Sequence, residues 1–288
     1  MINKTLAVIG GDLRQAHLAD MLSLDGYIIN AYALASGAGM NAKIHIHQSL
    51  KSALENSQYI ILPLPFSADG VHINAPNAYE PISIESIIES AVESSHILGG
   101  KITDDIYKKA ADKHIKITDY FLSDELIIKN IVPTVEGTIQ IMMEEMPITI
   151  HGSNCLITGF GRISKLLSSQ LKNLGANVTV CARKSSDIAY TEILGYTGVT
   201  FDRLNREIHN DCIINTVPYP VITKDILKGV SRDILIIDLA SKPGGVDMAY
   251  AGRLGLKTVW ALSLPGKVAP VTSGRIIKDT IMNIINIK

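Results

Sequence analysis

The stretch Leu156-Ile157-Thr158-Gly159-Phe160-Gly161-Arg162-Ile163-Ser164 decides how the chain folds. An apolar run ends at Gly159, the chain turns tightly, and a helical pattern opens near Arg162. Gly159 permits the turn, and Gly161 lets backbone N–H groups approach a pyrophosphate at a helix N-terminus. The third position of this dinucleotide fingerprint is Ser164 rather than Gly or Ala, still small enough for close helix–strand packing. Alone, a Gly-x-Gly is weak and could be a merely tight turn. Here it sits between an apolar strand and a helix, and a second strand, Asn177–Ala182, follows at the expected distance, so dinucleotide binding is the expectation.

Outward from that turn, short apolar runs alternate with helical patterns. Strands are expected at Leu6–Ile9, Tyr27–Tyr32, Tyr59–Leu64, Ser95–Leu98 and Lys116–Thr118, with helices at Arg14–Leu24 and Asp104–Lys113. A second cycle has strands at Asn154–Thr158, Asn177–Ala182, Asp211–Thr216, Asp233–Leu239 and Leu256–Trp260, and a helix at Arg162–Leu174. Such alternation predicts an α/β protein of two doubly wound parallel-sheet domains with a cleft between them, the second a Rossmann dinucleotide-binding domain. The expected division is a flavodoxin-like substrate domain over residues 1–133 joined by a C-terminal helix at 275–288, and a Rossmann domain over 134–274. Pro133-Thr134-Val135-Glu136-Gly137 reads as a junction loop, and Thr138–Met146, apolar at 139, 142, 143 and 146, as a connecting helix. Arg275–Ile287 puts Ile277, Ile281, Ile284 and Ile285 on one face and should dock. Hinges are expected near Val132–Thr134 and Ser273–Arg275.

Composition excludes several classes. The 288 residues carry 27 Lys+Arg against 28 Asp+Glu, so there is no basic surface to replace phosphate counterions on a nucleic acid. With 47% hydrophobic and 19% charged residues the chain is too apolar to be disordered. The apolar run Tyr59–Phe66 carries Pro63 and Pro65 and is too short to span a bilayer, and no secretion signal precedes Leu6, so a cytoplasmic protein is expected. Cys155, Cys181 and Cys212 lack metal or redox spacing and read as buried thiols. His45 and His47 alternate on a strand-like run without a carboxylate at ligand spacing, and no metal site is expected.

Candidate cofactor contacts are Gly159, Phe160, Gly161, Arg162 and Ile163 in the turn. At the end of the next strand, Arg183-Lys184-Ser185 stands where an acidic residue would hold the ribose 2′-OH of NAD. Two cations there suit a 2′-phosphate, hence NADP over NAD, although a solvated basic turn reads the same way. Asn215-Thr216-Val217-Pro218 and Leu239-Ala240-Ser241 end further strands on the ligand side, followed by Lys242 and by the Leu264–Gly274 loop with Lys267. Each of these loops could also be ordinary punctuation.

Taken in order, Val8-Ile9-Gly10-Gly11-Asp12-Leu13-Arg14-Gln15, Pro133-Thr134-Val135-Glu136-Gly137-Thr138, Ile150-His151-Gly152-Ser153, Asp238-Leu239-Ala240-Ser241 with Pro243-Gly244-Gly245, and Leu264-Pro265-Gly266 with Val268-Ala269-Pro270 resemble the dipicolinate synthase A-subunit family. The likeness spans nearly the whole chain. It departs where the family usually has Gly for Ser164, a small residue for Phe160, and Gly-Ala-Arg-Ser for Cys181-Ala182-Arg183-Lys184.

The resemblance implies nicotinamide-dependent oxidation of a dihydrodipicolinate-level precursor from the lysine pathway to dipicolinate in the mother cell of a sporulating bacterium. It also implies a flavoprotein-like partner, the B subunit of the synthase, and an architecture similar to the 2-hydroxyacid dehydrogenases; a homodimer suits that architecture. Such a reaction needs cations for two carboxylates and a proton acceptor. Arg14 is the leading carboxylate ligand, with Thr134, Lys242 and Lys267 as further ones. Glu136 and Asp12, each read as lying in a glycine-flanked loop, are candidate proton acceptors, and Asp12 could instead orient Arg14. Two alternatives stand beside this reading. A 2-hydroxyacid dehydrogenase would need a histidine near the last loop, and Ser263–Gly274 has none. A catalytically silent NADP-sensing subunit would keep Gly159 and Gly161 without needing Arg14.

Overall fold

The computed structural model describes residues 4–35, 44–206 and 209–286. The chain divides into two compact units, Met1–Asn130 with Ala269–Lys288, and Ile131–Val268. The first unit holds strands β1 (Thr5–Ile9), β2 (Ile28–Tyr32), β3 (Ile44–Ile46), β4 (Tyr59–Ile61), β5 (His96–Gly99) and β6 (Lys116–Asp119), ordered β3-β2-β1-β4-β5-β6. The second holds β7 (Asn154–Thr158), β8 (Asn177–Ala182), β9 (Thr197–Thr200), β10 (Cys212–Asn215), β11 (Leu235–Asp238) and β12 (Lys257–Trp260), ordered β12-β11-β10-β7-β8-β9. Every pairing is parallel. Near-continuous apolar strands such as Leu6-Ala7-Val8-Ile9 and Leu235-Ile236-Ile237 are what a sheet covered on both faces requires, and all seven residues are buried.

Both units therefore share the doubly wound order 3-2-1-4-5-6. The flavodoxin-like expectation for the first unit is corrected: its second strand pairs with its third, so the sheet grows outward from β1 on that side before reversing to β4. The α/β class with two parallel sheets holds.

The helices are α1 (Leu13–Leu24), α2 (Leu50–Leu54), α3 (Ile84–Ser90), α4 (Asp104–Asp112), α5 (Asp124–Lys129), α6 (Ile131–Glu145), α7 (Arg162–Asn173), α8 (Ser185–Ile193), α9 (Lys224–Leu227), α10 (Met248–Arg253), α11 (Leu264–Val268) and α12 (Pro270–Asn286). Two loops expected from glycine and proline are helical instead. Pro133-Thr134-Val135-Glu136-Gly137 lies inside α6. Pro133 is tolerated because a first-turn amide has no intrahelical acceptor. A Cβ on Gly137 would come within 3.1 Å of Val268 and 3.3 Å of Leu264, so this glycine serves close packing of α6 against α11. The Leu264–Gly274 segment likewise forms α11 and the start of α12, and the residues expected as hinges sit within α6 and α12.

Helix α12 belongs to the first unit and packs on α1, where a Cβ on Gly274 would come within 2.6 Å of the Arg14 carbonyl. Its Ile277, Ile281 and Ile285 are buried, as their spacing predicts, and Lys278 pairs with Asp25 at 2.7 Å. The ends of that expected helix, 287 and 288, and residues 1–3 before the first strand lie outside the described residues. Strand β4 stops at Ile61, earlier than the apolar run suggests, since Pro63 and Pro65 cannot donate to a ladder. Cys155, Cys181 and Cys212 are buried and form no disulfide. Among the described residues no helix is long and apolar enough to cross a membrane.

His96 is buried in β5, with Nε2 2.8 Å from Thr118 Oγ1. Burial, with the nearby Lys116 charge, lowers its pKa from about 6.5 to about 4. Below pH 6.5 the unfolded chain gains a proton that the folded chain refuses, so stability falls as pH drops toward 4. Urea midpoints at pH 7 and pH 5 should therefore differ more in the parent than in His96→Gln.

Candidate functional site

In the second unit β7 lies between β10 and β8, so the strand order reverses beside β7, the place in such a sheet where ligands bind outside the carboxyl ends of the strands. Gly159 leaves β7 with φ +92°, and its N–H donates to Cys181 O at 2.7 Å. A Cβ there would stand 2.7 Å from Thr216 Oγ1 and 2.9 Å from Val217, so only glycine fits. Gly161 is the N-cap of α7, makes no side-chain cap bond, and a Cβ on it would meet open space. The first amides of a 12-residue helix thus point toward a position that no capping side chain fills. Ser164, a departure from the fingerprint, is fully buried and donates from Oγ to Gly159 O at 2.7 Å. Its hydroxyl ties the turn to the helix, a role that the size argument from sequence did not capture.

A buried polar chain sets the neighbouring strand ends. Thr158 Oγ1 donates to Asn215 Oδ1 at 2.6 Å, and Asn215 Nδ2 donates to Asp238 Oδ1 at 2.7 Å. Asp238 also accepts from the N–H groups of Ala240 (3.0 Å), Gly245 (2.8 Å) and Val246 (3.2 Å). Thr216 Oγ1 donates to Thr158 O at 2.7 Å, and Val217 N donates to Asn215 Oδ1 at 3.1 Å. Asp238, Asn215 and Thr158 are each fully buried. Neither Thr158 nor Asp238 was expected as a site residue; the available signal was a carboxylate and a hydroxyl ending otherwise apolar strands.

These bonds bring three expected groups to adjoining strand ends: Gly159–Ile163 after β7, Asn215–Pro218 after β10, and Leu239–Ser241 after β11. Phe160 is half-buried, its ring 6.2 Å from Tyr190 with Lys165 Nζ 5.1 Å from the Phe160 centroid. Arg183 and Lys184 are exposed after β8, Lys184 as the N-cap of α8, whose first residue is Ser185. Lys242 is exposed on a turn, and Lys267 is exposed on α11 rather than in a loop. Thr134 is the fourth residue of α6, not its start, and Glu136 is an exposed helical residue without flanking loop.

In the first unit Gly10 and Gly11 adopt φ +65° and +91° after β1. Asp12 caps α1 by accepting from Arg14 N at 3.0 Å. The buried Arg14 guanidinium donates through Nε (2.9 and 3.1 Å) and Nη2 (2.8 Å) to the Asp12 carboxylate, and through Nη2 to Leu64 O at 2.5 Å. The Asp12 carboxylate is thus bonded to the Arg14 guanidinium, the contact that the second of its two suggested roles requires.

Residues 5–121 match the family model for the N-terminal domain of the dipicolinate synthase A subunit. The chain is 31% identical over 285 residues to the dipicolinate synthase A subunit of Bacillus subtilis (strain 168), covering 97% of this chain and 95% of that protein. It belongs to the dipicolinate synthase A-subunit family. The crystal structure of the A subunit from Bacillus halodurans superposes with a TM-score of 0.87 at 28% identity over 100% of both chains. Its counterpart from Bacillus subtilis gives 0.84 at 28% identity, over 99% of this chain and 96% of that one. The resemblance read from the motif order thus holds for the whole chain.

Asp238→Ala leaves four donors without their acceptor in a buried place and should cost about 3 kcal/mol or more in a urea titration. Ser164→Ala removes one hydrogen bond, at about 1 kcal/mol.

Proposed function

We propose that this chain oxidises a dihydrodipicolinate-level substrate to dipicolinate, with NADP preferred over NAD as hydride acceptor. The observation that carries the cofactor half is the glycine turn at 159–161, where a Cβ is excluded at Gly159 and the head of α7 lacks a capping side chain. Those uncapped amides suit a pyrophosphate, and the Asn215–Pro218 and Leu239–Ser241 loops stand beside them. Arg183, Lys184 and Ser185 at the head of α8 offer two cations and a hydroxyl, which suits a ribose 2′-phosphate, with Asp187 as the acidic residue of the same first turn. When bound, the nicotinamide supplies the hydride acceptor.

The chain's own residues have three tasks: hold the cofactor, hold a diacid and accept a proton. Arg14, stiffened by Asp12, offers its remaining nitrogen, Nη1, to one carboxylate. Lys242, Lys267 and Thr134 are the further candidates for anion binding. Of the two carboxylates read as proton acceptors, Asp12 already takes three bonds from the Arg14 side chain, and Glu136 stands exposed on α6. Formation of the aromatic ring supplies much of the driving force, so modest acid–base assistance suffices. The reading extends to partnership with the flavoprotein-like B subunit, to a homodimer, and to action in the mother-cell cytoplasm of a sporulating bacterium.

The discriminating assay mixes the full chain, with and without the B subunit, with NADP+ and freshly generated dihydrodipicolinate. Joint appearance of dipicolinate and NADPH supports the enzyme; cofactor binding without turnover in either mixture supports the NADP-sensing role and overturns the oxidation. Replacing Arg183 and Lys184 together by Ala should weaken NADP+ binding by about 10- to 100-fold in calorimetry while leaving NAD+ nearly unchanged.

A further inference from the structure

Gln15 is 2% exposed, and among the described residues it holds the one side-chain amide whose nitrogen and oxygen are both buried without a hydrogen-bond partner. A buried amide in that state has given up its water and gained no bond, so its N–H donors and its acceptor oxygen are open to a ligand. We propose that Gln15 is a second ligand-binding residue beside Arg14, and that the pair selects a carboxylate with an N–H group next to it. This rests on the oxidation proposed above in one respect only, that the first unit receives the acid.

The place of Gln15 in the fold gives the amide a use. In the second unit the residue at the matching place after the glycine turn closes on its own turn, since Ser164 Oγ donates to Gly159 O at 2.7 Å. In the first unit Gln15 makes no such bond. Its stem lies against the glycine turn instead: a Cβ on Gly11 would fall on Gln15 Cγ and come within 3.3 Å of Pro63 Cβ. The residue after Pro63 is Leu64, whose carbonyl accepts from Arg14 Nη2. The amide and the guanidinium thus flank the same short segment after β4, next to β1 and β4 where the order of the first sheet reverses.

Asp12 and Leu64 O take Nε and Nη2 of Arg14, which leaves Nη1 for a carboxylate. A guanidinium reads only the charge and the fork of that group. An amide adds a donor and an acceptor side by side, which matches a carboxylate oxygen beside an N–H. The unbranched stem of Gln15 lets the amide turn toward a ligand seated on Nη1. A reduced pyridine ring in its N–H form, with a carboxylate on each side of the nitrogen, carries this pattern. The aromatic ring does not, because its nitrogen only accepts. The pair therefore favours a reduced diacid over the aromatic one.

The test is calorimetry on the full chain without cofactor, with piperidine-2,6-dicarboxylate as the N–H diacid and dipicolinate as the aromatic one. The parent should bind the N–H diacid about 10-fold more tightly. Gln15→Met keeps the length of the stem and removes the amide. It should weaken the N–H diacid by about that factor and abolish the preference. Its urea midpoint should equal or exceed the parent's, because the amide has no bond to lose in the free chain. A parent that binds neither diacid at millimolar concentration or shows no preference, or a Gln15→Met that keeps the preference, overturns the assignment. A lowered midpoint in Gln15→Met shows a structural role and overturns it too. Turnover of dihydrodipicolinate is scored apart. A parent that shows the expected preference yet forms no NADPH loses the oxidation and keeps this site; one that forms NADPH while Gln15→Met binds unchanged loses this site alone.

Discussion

The carboxylate of Asp238, sealed at the end of β11, is the constraint around which the second unit's site is arranged. A buried carboxylate is tolerated only when its lone pairs are filled, and here one side-chain amide and three backbone N–H groups fill them. Satisfying it fixes the path of the chain after β11 and the rotamer of Asn215 at the end of β10. Asn215 in turn takes the Thr158 hydroxyl at the end of β7, so three adjacent strand ends are joined by one polar chain in an apolar surround. The glycine turn that follows Thr158 is held against Thr216 by this frame, and a pre-set turn loses little freedom when it receives an anion.

The first unit repeats the plan with other chemistry. Its glycine pair also follows the first strand and precedes a helix, but that helix is capped by Asp12 and carries a buried arginine in its first turn. A guanidinium held by a carboxylate and a carbonyl has lost most of its rotamer freedom before a ligand arrives. The same sheet order thus presents uncapped amides in one unit and an oriented cation in the other. That difference matches the division of labour proposed for them, a phosphorylated cofactor on one and an acid substrate on the other.

Much of this was legible beforehand where local chemistry dominates. Apolar strand runs, the turn at 159–161 and the spacing of Ile277, Ile281 and Ile285 each depend on contacts that periodicity reports. Glycine and proline misled at 133–137 and 264–274, because both residues also belong in helices: Pro133 at a first turn, Gly137 where two helices meet closely. The short strand β9, four residues long, carries too few positions for alternation to register. Glu136 looked like a loop carboxylate for the same reason that the loop looked like a loop.

What the amino-acid order alone determined is the α/β class, the parallel sheets, the glycine turn at 159–161 and the family, since each is written in contiguous residues or in motif order. What only tertiary structure decided are the strand order of the first sheet, the bonds of Arg14 to Asp12 and to Leu64, and the Thr158–Asn215–Asp238 chain. Most of these depend on how a carboxylate or cation deprived of water finds partners, and partners 23, 50 or 57 positions away in the chain leave no local pattern.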